Sequence, residues 1–275
     1  MSSSIADSSI FTSKPFTFIV QGKPLYAHAA LVAGCSEPFD RMINGHLSEA
    51  NQGFAILDDV DESTFLRFIR WTYNKDYPAN EHSAALGAEE SKPPEANTVD
   101  DEFADWGSWG VNKKEKKKKK KHTTEPAVEG YLRESFISRQ HDVELSPYTI
   151  PPARANKGPD EDYTEVFLGH ARMYVFAEKY DIQPLKKLAL QKLQHQLAIH
   201  TLYIERAGEI LSLVNYVYGN TGETSGNSDD IRTMLAHYIG VEMANLMQDG
   251  EIRHIMQENG ELLSDFLKMF ALRVN

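Results

Sequence analysis

The sequence predicts an α+β fold in which helices cap a small three-stranded sheet and a helical extension follows. Large apolar residues recur at every second position over residues 16–20, which is the period of a β-strand. Over residues 61–73, and again from 166 onwards, they recur at spacings of three and four, which is the period of packed helices. A long charged range without periodicity, residues 80–162, separates these two groups.

The first two strands are predicted as a hairpin. Phe16, Phe18 and Val20 alternate with Thr17 and Ile19 and predict the first strand. The Gln-Gly pair at 21–22 supplies a turn, and residues 25–27 return as the second strand.

A third strand and three helices are predicted next. The short apolar run 54–57 suits a strand, and the small residues 29–33 suit a short helix that stops at Gly34. Ser36 is placed to cap a second short helix, and Asp61 to cap a longer one. The longer helix has apolar residues at spacings of three and four, namely Phe65, Leu66, Phe68, Ile69 and Tyr73.

Residues 80–162 are dominated by Glu, Lys, Pro, Ser and Asn, and they predict a disordered charged insertion. Phe103, Trp106 and Trp109 lie there in a polar segment that cannot bury them locally. We therefore expect these three residues to form a short linear motif that docks on a partner or on this protein's own surface. The run 113–121 that follows contains eight Lys and one Glu, and it suits a nuclear-import signal, a weak anionic tether or a solvated charge block.

Helical periodicity resumes after the insertion. Two helices within residues 166–200, joined by a tight corner at Asp181 and Pro184, predict an antiparallel helical hairpin. Further helical periods follow to the end of the chain. The predicted organisation is a flexible N-terminus at 1–15, a split domain at 16–79 and 163–200, the insertion at 80–162, and a helical C-terminal region at 201–275.

Composition excludes several functions. A net charge of −11 disfavours non-specific binding to nucleic acid or to an anionic membrane, and no run approaches a membrane span or a signal peptide. One cysteine, Cys35, permits neither an intrachain disulfide nor a cysteine-based metal cluster. The histidines are scattered, and no nucleophile elbow, phosphate loop or zinc-protease motif occurs. We therefore expect no enzymatic activity, no cofactor and no metal.

Several sequence features occur together in a fixed order. They are the F-T-F-I-V-Q-G-K hairpin at 16–23, Ala27-His28, F-D-R-M at 39–42, L-D-D-V at 57–60, and A-E-K-Y-D-I at 177–182. In this combination the chain resembles BTB/POZ domain proteins, and among them the short stand-alone type common in fungi. The resemblance covers about 16–79 and 163–200, and it implies a module for protein–protein interaction.

The resemblance also implies contact residues. In the family, a hydrophobic-x-Glu pattern after the second short helix supports docking of a cullin scaffold, which makes such proteins client adaptors of ubiquitin ligases. Leu47 and Glu49 match that pattern; the alternative is that Leu47 covers the edge of the core and Glu49 is a solvated acid. Tyr73 is a weaker candidate contact whose alternative role is core packing. For His28 the resemblance implies a structural, hydrogen-bonded role.

A second function remains open. The chain has Lys14-Pro15 and Ala29 where many family members carry the acid and base that help build a homodimer, so a homodimer is left as an alternative. The rival to the adaptor hypothesis is a nuclear regulatory or scaffold protein in which the domain only oligomerises. Sequence-specific DNA binding is not expected, because no zinc-finger spacing occurs and the C-terminal helices are not basic. The expected location is the nucleus, the cytoplasm or both.

Overall fold

The structure, a computed structural model, describes residues 12–84, 127–139, 153–224, 227–248, 250 and 260–271. Its strands are β1 (Pro15–Val20), β2 (Lys23–His28), β3 (Phe54–Leu57), β4 (Ser83–Ala84), β5 (Glu161–Asp162), β6 (Glu223–Thr224) and β7 (Asn227–Ser228). Its helices are α1 (Ala29–Ala33), α2 (Glu37–Asn44), α3 (Ser48–Gln52), α4 (Glu62–Asn74), α5 (Ala127–Ile137), α6 (Thr164–Lys179), α7 (Gln183–Ile199), α8 (Ala207–Asn220), α9 (Asp230–Val241), α10 (Met243–Leu246) and α11 (Gly260–Ala271), with a 3-10 turn at Ile204–Arg206.

The main sheet is small and mixed, with the strand order β2-β1-β3. β1 and β2 form the predicted antiparallel hairpin, and its turn residues Gln21 and Gly22 have φ angles of 49° and 77°. Positive φ at both positions is what a two-residue hairpin turn requires. β1 pairs in parallel with β3, with Phe18 opposite Ala55. The three strands and the α+β class predicted from the sequence are therefore confirmed.

The first helices begin where the sequence placed their caps. The Ser36 hydroxyl accepts a hydrogen bond from the Phe39 amide at 3.3 Å, and the Asp61 carboxylate accepts one from the Thr64 amide at 2.9 Å. These bonds satisfy amide groups that have no partner inside the helix. Both predicted caps are confirmed.

The apolar positions of α4 divide between core and solvent. Phe65 and Phe68 are fully buried, whereas Leu66 and Tyr73 are exposed. The buried stripe of a helix covers only part of its circumference, and a neighbouring position lies about 100° further round. Core packing, the alternative role considered for Tyr73, is therefore not what the structure shows.

Aromatic side chains join the two ranges on either side of the insertion. The Phe68 and Phe176 rings lie 4.9 Å apart, and Phe39 stacks on Tyr180 at 4.4 Å. The Ser36 hydroxyl also donates a hydrogen bond to the Tyr180 carbonyl at 2.6 Å. The helical hairpin of α6 and α7 thus completes the core that the sheet and α1–α4 begin.

The two ends of the insertion lie next to each other in the structure. β4 pairs antiparallel with β5, with Ser83 opposite Asp162 and Ala84 opposite Glu161. The Asn80 side chain also donates a hydrogen bond to the Glu165 carbonyl at 2.5 Å. These contacts hold the two ends of the insertion beside each other.

Part of the range predicted to be disordered is ordered. Within residues 80–162 the structure describes the helix α5, and its Leu132 and Phe136 are buried in the main core. Disorder was predicted because the surrounding residues are polar and show no sustained period. For α5 that prediction is wrong, because its two apolar residues, four positions apart, share one helix face that packs against α7 and α9.

The C-terminal helices pack on the same body. α8 lies against α6, while α9 contacts α11, α5 and α7. Leu262 and Met269 of α11 are buried in the core that also contains Phe18. Among the described residues, no helix has both the length and the apolar character needed to cross a membrane.

Candidate partner-binding surface

Leu47 lies at the start of α3 with an extended backbone, at φ −74° and ψ 162°. Half of its surface, 50%, is exposed. The Asn51 side chain donates a hydrogen bond to the Leu47 carbonyl at 3.4 Å, and the Ser48 hydroxyl donates one to the Glu49 carboxylate at 3.0 Å. Gly53, with φ 76°, ends the helix and leads into β3. Leu47 is therefore an exposed apolar side chain on an ordered turn, with a partly buried carboxylate two residues away.

Tyr73 and His28 form a second pair at the far ends of α4 and β2. The Tyr73 hydroxyl lies 2.7 Å from His28 Nδ1 and 3.4 Å from the His28 amide nitrogen. The hydroxyl accepts from the amide and shares a hydrogen bond with the ring, and the two rings meet edge-on at 5.9 Å. Tyr73 is nevertheless 42% exposed and His28 is only partly buried. His28 thus holds Tyr73 in place at the surface.

The outer face of the sheet is apolar and open as well. Tyr26 lies opposite Thr17, and Ile56 lies opposite Ile19, on the face that points away from Phe18. Tyr26 and Ile56 are both exposed. Sequence reasoning did not assign this surface, although the period-two alternation that buries Phe18 also predicts which residues face outwards.

His170 is a buried titratable group on α6. Its Nδ1 lies 3.0 Å from the Tyr77 hydroxyl, which is itself fully buried. Burial, assisted by the nearby positive charges of Lys192 and Arg67, lowers the pKa of His170 from 6.5 to about 3. The ring is therefore neutral at physiological pH, and it joins the chain before the insertion to the chain after it. Sequence reasoning missed this contact.

The single thiol does not resemble a catalytic nucleophile. Cys35 Sγ donates to the Leu31 carbonyl at 3.1 Å, and burial raises the pKa of the thiol, with the positive charge of Lys75 opposing. A raised pKa leaves less of the reactive thiolate at neutral pH. Within the described part of the chain, no group of three or more His, Cys, Asp or Glu side chains is arranged to hold a metal ion.

The sequence also predicts a linear motif and a functional lysine run within the insertion. Phe103, Trp106, Trp109 and the run 113–121 all lie outside the described residues. Their roles stay predictions from the sequence.

Comparison with known proteins agrees with the fold. The BTB/POZ domain family model matches residues 15–87, which span the main sheet, α1–α4 and β4. No curated protein matches the chain. The helices α6 and α7 lie beyond the matched range. They complete the core of the matched segment, because Phe176 packs on Phe68 and Tyr180 stacks on Phe39. Residues 15–87 are therefore a BTB/POZ domain segment, and this part of the chain is a protein–protein interaction module.

Proposed function

We propose that this protein is a non-catalytic adaptor that brings a client protein to a cullin scaffold of a ubiquitin ligase. The observation that carries the proposal is the half-exposed Leu47 at the start of α3, inside a segment that matches the BTB/POZ domain. An apolar side chain held on an ordered turn loses little conformational entropy on binding, so it is a suitable anchor for an interface.

Glu49 supplies the polar part of the proposed contact. It lies in the first turn of α3, where its carboxylate receives one hydrogen bond from Ser48 and keeps further acceptor positions for a partner. A pocket of a cullin that takes the leucine side chain and offers a donor to the carboxylate would match both groups. Tyr73, fixed by His28, is a further candidate contact on a separate element.

The proposed contact is tested by exchanging the anchor for a charge. Leu47→Asp places a carboxylate in an apolar pocket, so the affinity for a purified cullin N-terminal region should fall at least about tenfold. Leu66→Asp is the matched control, because Leu66 is exposed to a similar degree on α4, 46% against 50%. Isothermal titration calorimetry measures both variants after circular dichroism has shown that they are folded.

Two different negative results would test the contact residue and the proposed function separately. Full cullin affinity in Leu47→Asp would remove Leu47 from the interface. Absence of any cullin binding by the unaltered chain would reject the ubiquitin-ligase role, and the client would then be sought by affinity purification without it.

A further inference from the structure

α5 is a short helix that lies across α7 and α9 and uses one face to do so. Leu132 and Phe136, four residues apart on that face, are 5% and 2% exposed. The Phe136 ring meets the His237 ring edge-on at 5.3 Å and lies 5.6 Å from the Tyr238 ring. Two apolar anchors therefore fill a groove between the two longer helices.

The groove holds the C-terminal end of α5 as well as its apolar face. The Gln194 side chain of α7 donates hydrogen bonds to the Phe136 carbonyl at 2.6 Å and to the Arg139 carbonyl at 3.0 Å. Carbonyl groups in the last turn of a helix have no intrahelical donor. Gln194 is buried and supplies that donor from another element.

Two further buried polar groups face α5 from the side of α9. His237 Nε2 lies 3.1 Å from both the Leu132 carbonyl and the Ser135 hydroxyl. Because a carbonyl only accepts, Nε2 carries the hydrogen of that bond. The carboxylate of Glu242, also buried, pairs with the guanidinium of Arg133. The groove thus offers a ring N–H donor from His237, a buried carboxylate from Glu242 and, from Gln194, a side-chain amide that caps the last carbonyl groups of α5.

A further polar group belongs to Tyr238 of α9, whose ring packs on Phe136. The Tyr238 hydroxyl is buried and has no hydrogen-bond partner among the described residues. A buried hydroxyl without a partner lowers stability. The packing of α5 on the Tyr238 ring leaves this hydroxyl without a hydrogen bond among the described residues.

We propose that the groove between α7 and α9 is a binding site for an amphipathic helix, that α5 occupies it as a tethered and exchangeable segment, and that a partner helix binds by displacing α5. The partner would carry two large apolar residues four positions apart, with an arginine directly after the first, as Leu132, Arg133 and Phe136 do. The site is independent of the proposed cullin contact at α3.

The length of α5 and its connections permit the exchange. A helix of 11 residues is marginal in water on its own, so it is ordered by docking rather than by its own hydrogen bonds. Residues 140–152 join it to the rest of the chain, and a stretch of that length spans up to about 40 Å. α5 can therefore leave the groove without unfolding the helices that form it.

A labelled synthetic peptide of residues 127–139 tests the site on the full-length chain. In the variant Leu132→Ala/Phe136→Ala the resident helix is weakened, so fluorescence anisotropy should show saturable binding at least about tenfold tighter than to the unaltered chain. The affinity of a peptide with Phe136→Ala should fall about tenfold or more, whereas the affinity of a peptide with Ile137→Ala, at an exposed position, should not fall.

Variants of the double-variant chain test the groove itself. Adding Gln194→Ala to that chain should abolish binding of the peptide, whereas adding Gln191→Ala, on the exposed side of α7, should not. Lack of saturable binding to the folded variant, or equal binding of the Phe136→Ala peptide, would overturn the proposal.

If the double variant does not fold, hydrogen exchange on the unaltered chain tests whether α5 opens independently of α7 and α9. An exchangeable α5 opens while α7 and α9 stay closed, so amides 133–137 should exchange at least about tenfold faster than those of Leu193 and Leu235. Exchange of all of them at one common rate would show that α5 opens only with the whole domain, and it would overturn the proposal.

Discussion

The buried His170 should make the stability of this protein depend on pH in a range where carboxylates contribute little. In the folded state its ring is neutral beside Tyr77, with a pKa of about 3, whereas in the unfolded chain it titrates near 6.5. As the pH falls below 6.5, the unfolded state binds a proton that the folded state does not. The stability that His170 contributes is therefore complete above pH 6.5 and is lost progressively as the pH falls towards 3.

The size of the effect follows from the two pKa values. Lowering the pH from about 7.5 to about 5 should cost roughly 2 kcal/mol of unfolding free energy through His170 alone. In that window the carboxylates, whose ordinary pKa values lie near 4, remain ionised in both states. The variant His170→Asn keeps a neutral polar group beside Tyr77 but cannot titrate, so it should lose this part of the pH dependence even though a smaller side chain lowers its stability at every pH.

Urea unfolding followed by circular dichroism at several pH values measures the effect. The comparison uses the change in unfolding free energy between the two pH values. The loss of stability caused by the smaller side chain is present at both pH values and therefore cancels. His195→Asn, at an exposed position on α7, is the control and should keep the pH dependence of the unaltered chain. If His170→Asn lost as much stability on acidification as the unaltered protein does, the assignment of a buried neutral histidine would be refuted.

Three further outcomes are expected. Phe68→Ala should cost about 3–5 kcal/mol of unfolding free energy because it empties a fully buried site, whereas the exposed Leu66→Ala should cost less than about 1 kcal/mol; equal losses in urea unfolding would contradict the buried face assigned to α4. Tyr238→Phe should raise stability by about 1 kcal/mol, since it removes a buried hydroxyl without a partner among the described residues; a lower melting temperature would mean that the hydroxyl is bonded. Deletion of 113–121 should reduce the nuclear fraction of a fluorescent fusion if the lysine run directs import, and an unchanged distribution in microscopy would leave it as a weak anionic tether or a solvated charge block.

The elements that local patterns encode were predictable. The hairpin, the third strand and the caps of α2 and α4 depend on residues that are neighbours in sequence, such as the Gln21-Gly22 turn and Asp61 with Thr64. The BTB/POZ resemblance implied Leu47 and Glu49 as candidates, but it did not predict their exposure or backbone geometry. Exposure depends on what packs over a residue, and the hydrophobic character of Leu47 alone does not decide it.

α5 shows where the local approach fails. Leu132 and Phe136 have the spacing of four that suits one helix face, but the polar residues around them lead to a prediction of disorder. Most of the groups that hold α5, including Gln194, His237 and Glu242, come from helices far along the chain. A composition-based prediction of disorder does not take such distant partners into account.

From the sequence alone came the fold class, the BTB/POZ resemblance and the division into two apolar ranges around a charged insertion. Only the tertiary structure decided that α8–α11 pack on the same core, that His170 meets Tyr77 across the insertion, and that α5 fills a groove between α7 and α9. The physical reason is that strand and helix periods, turns and caps are set by neighbours along the chain. Burial and the pairing of polar groups are set by residues that folding brings together from distant positions.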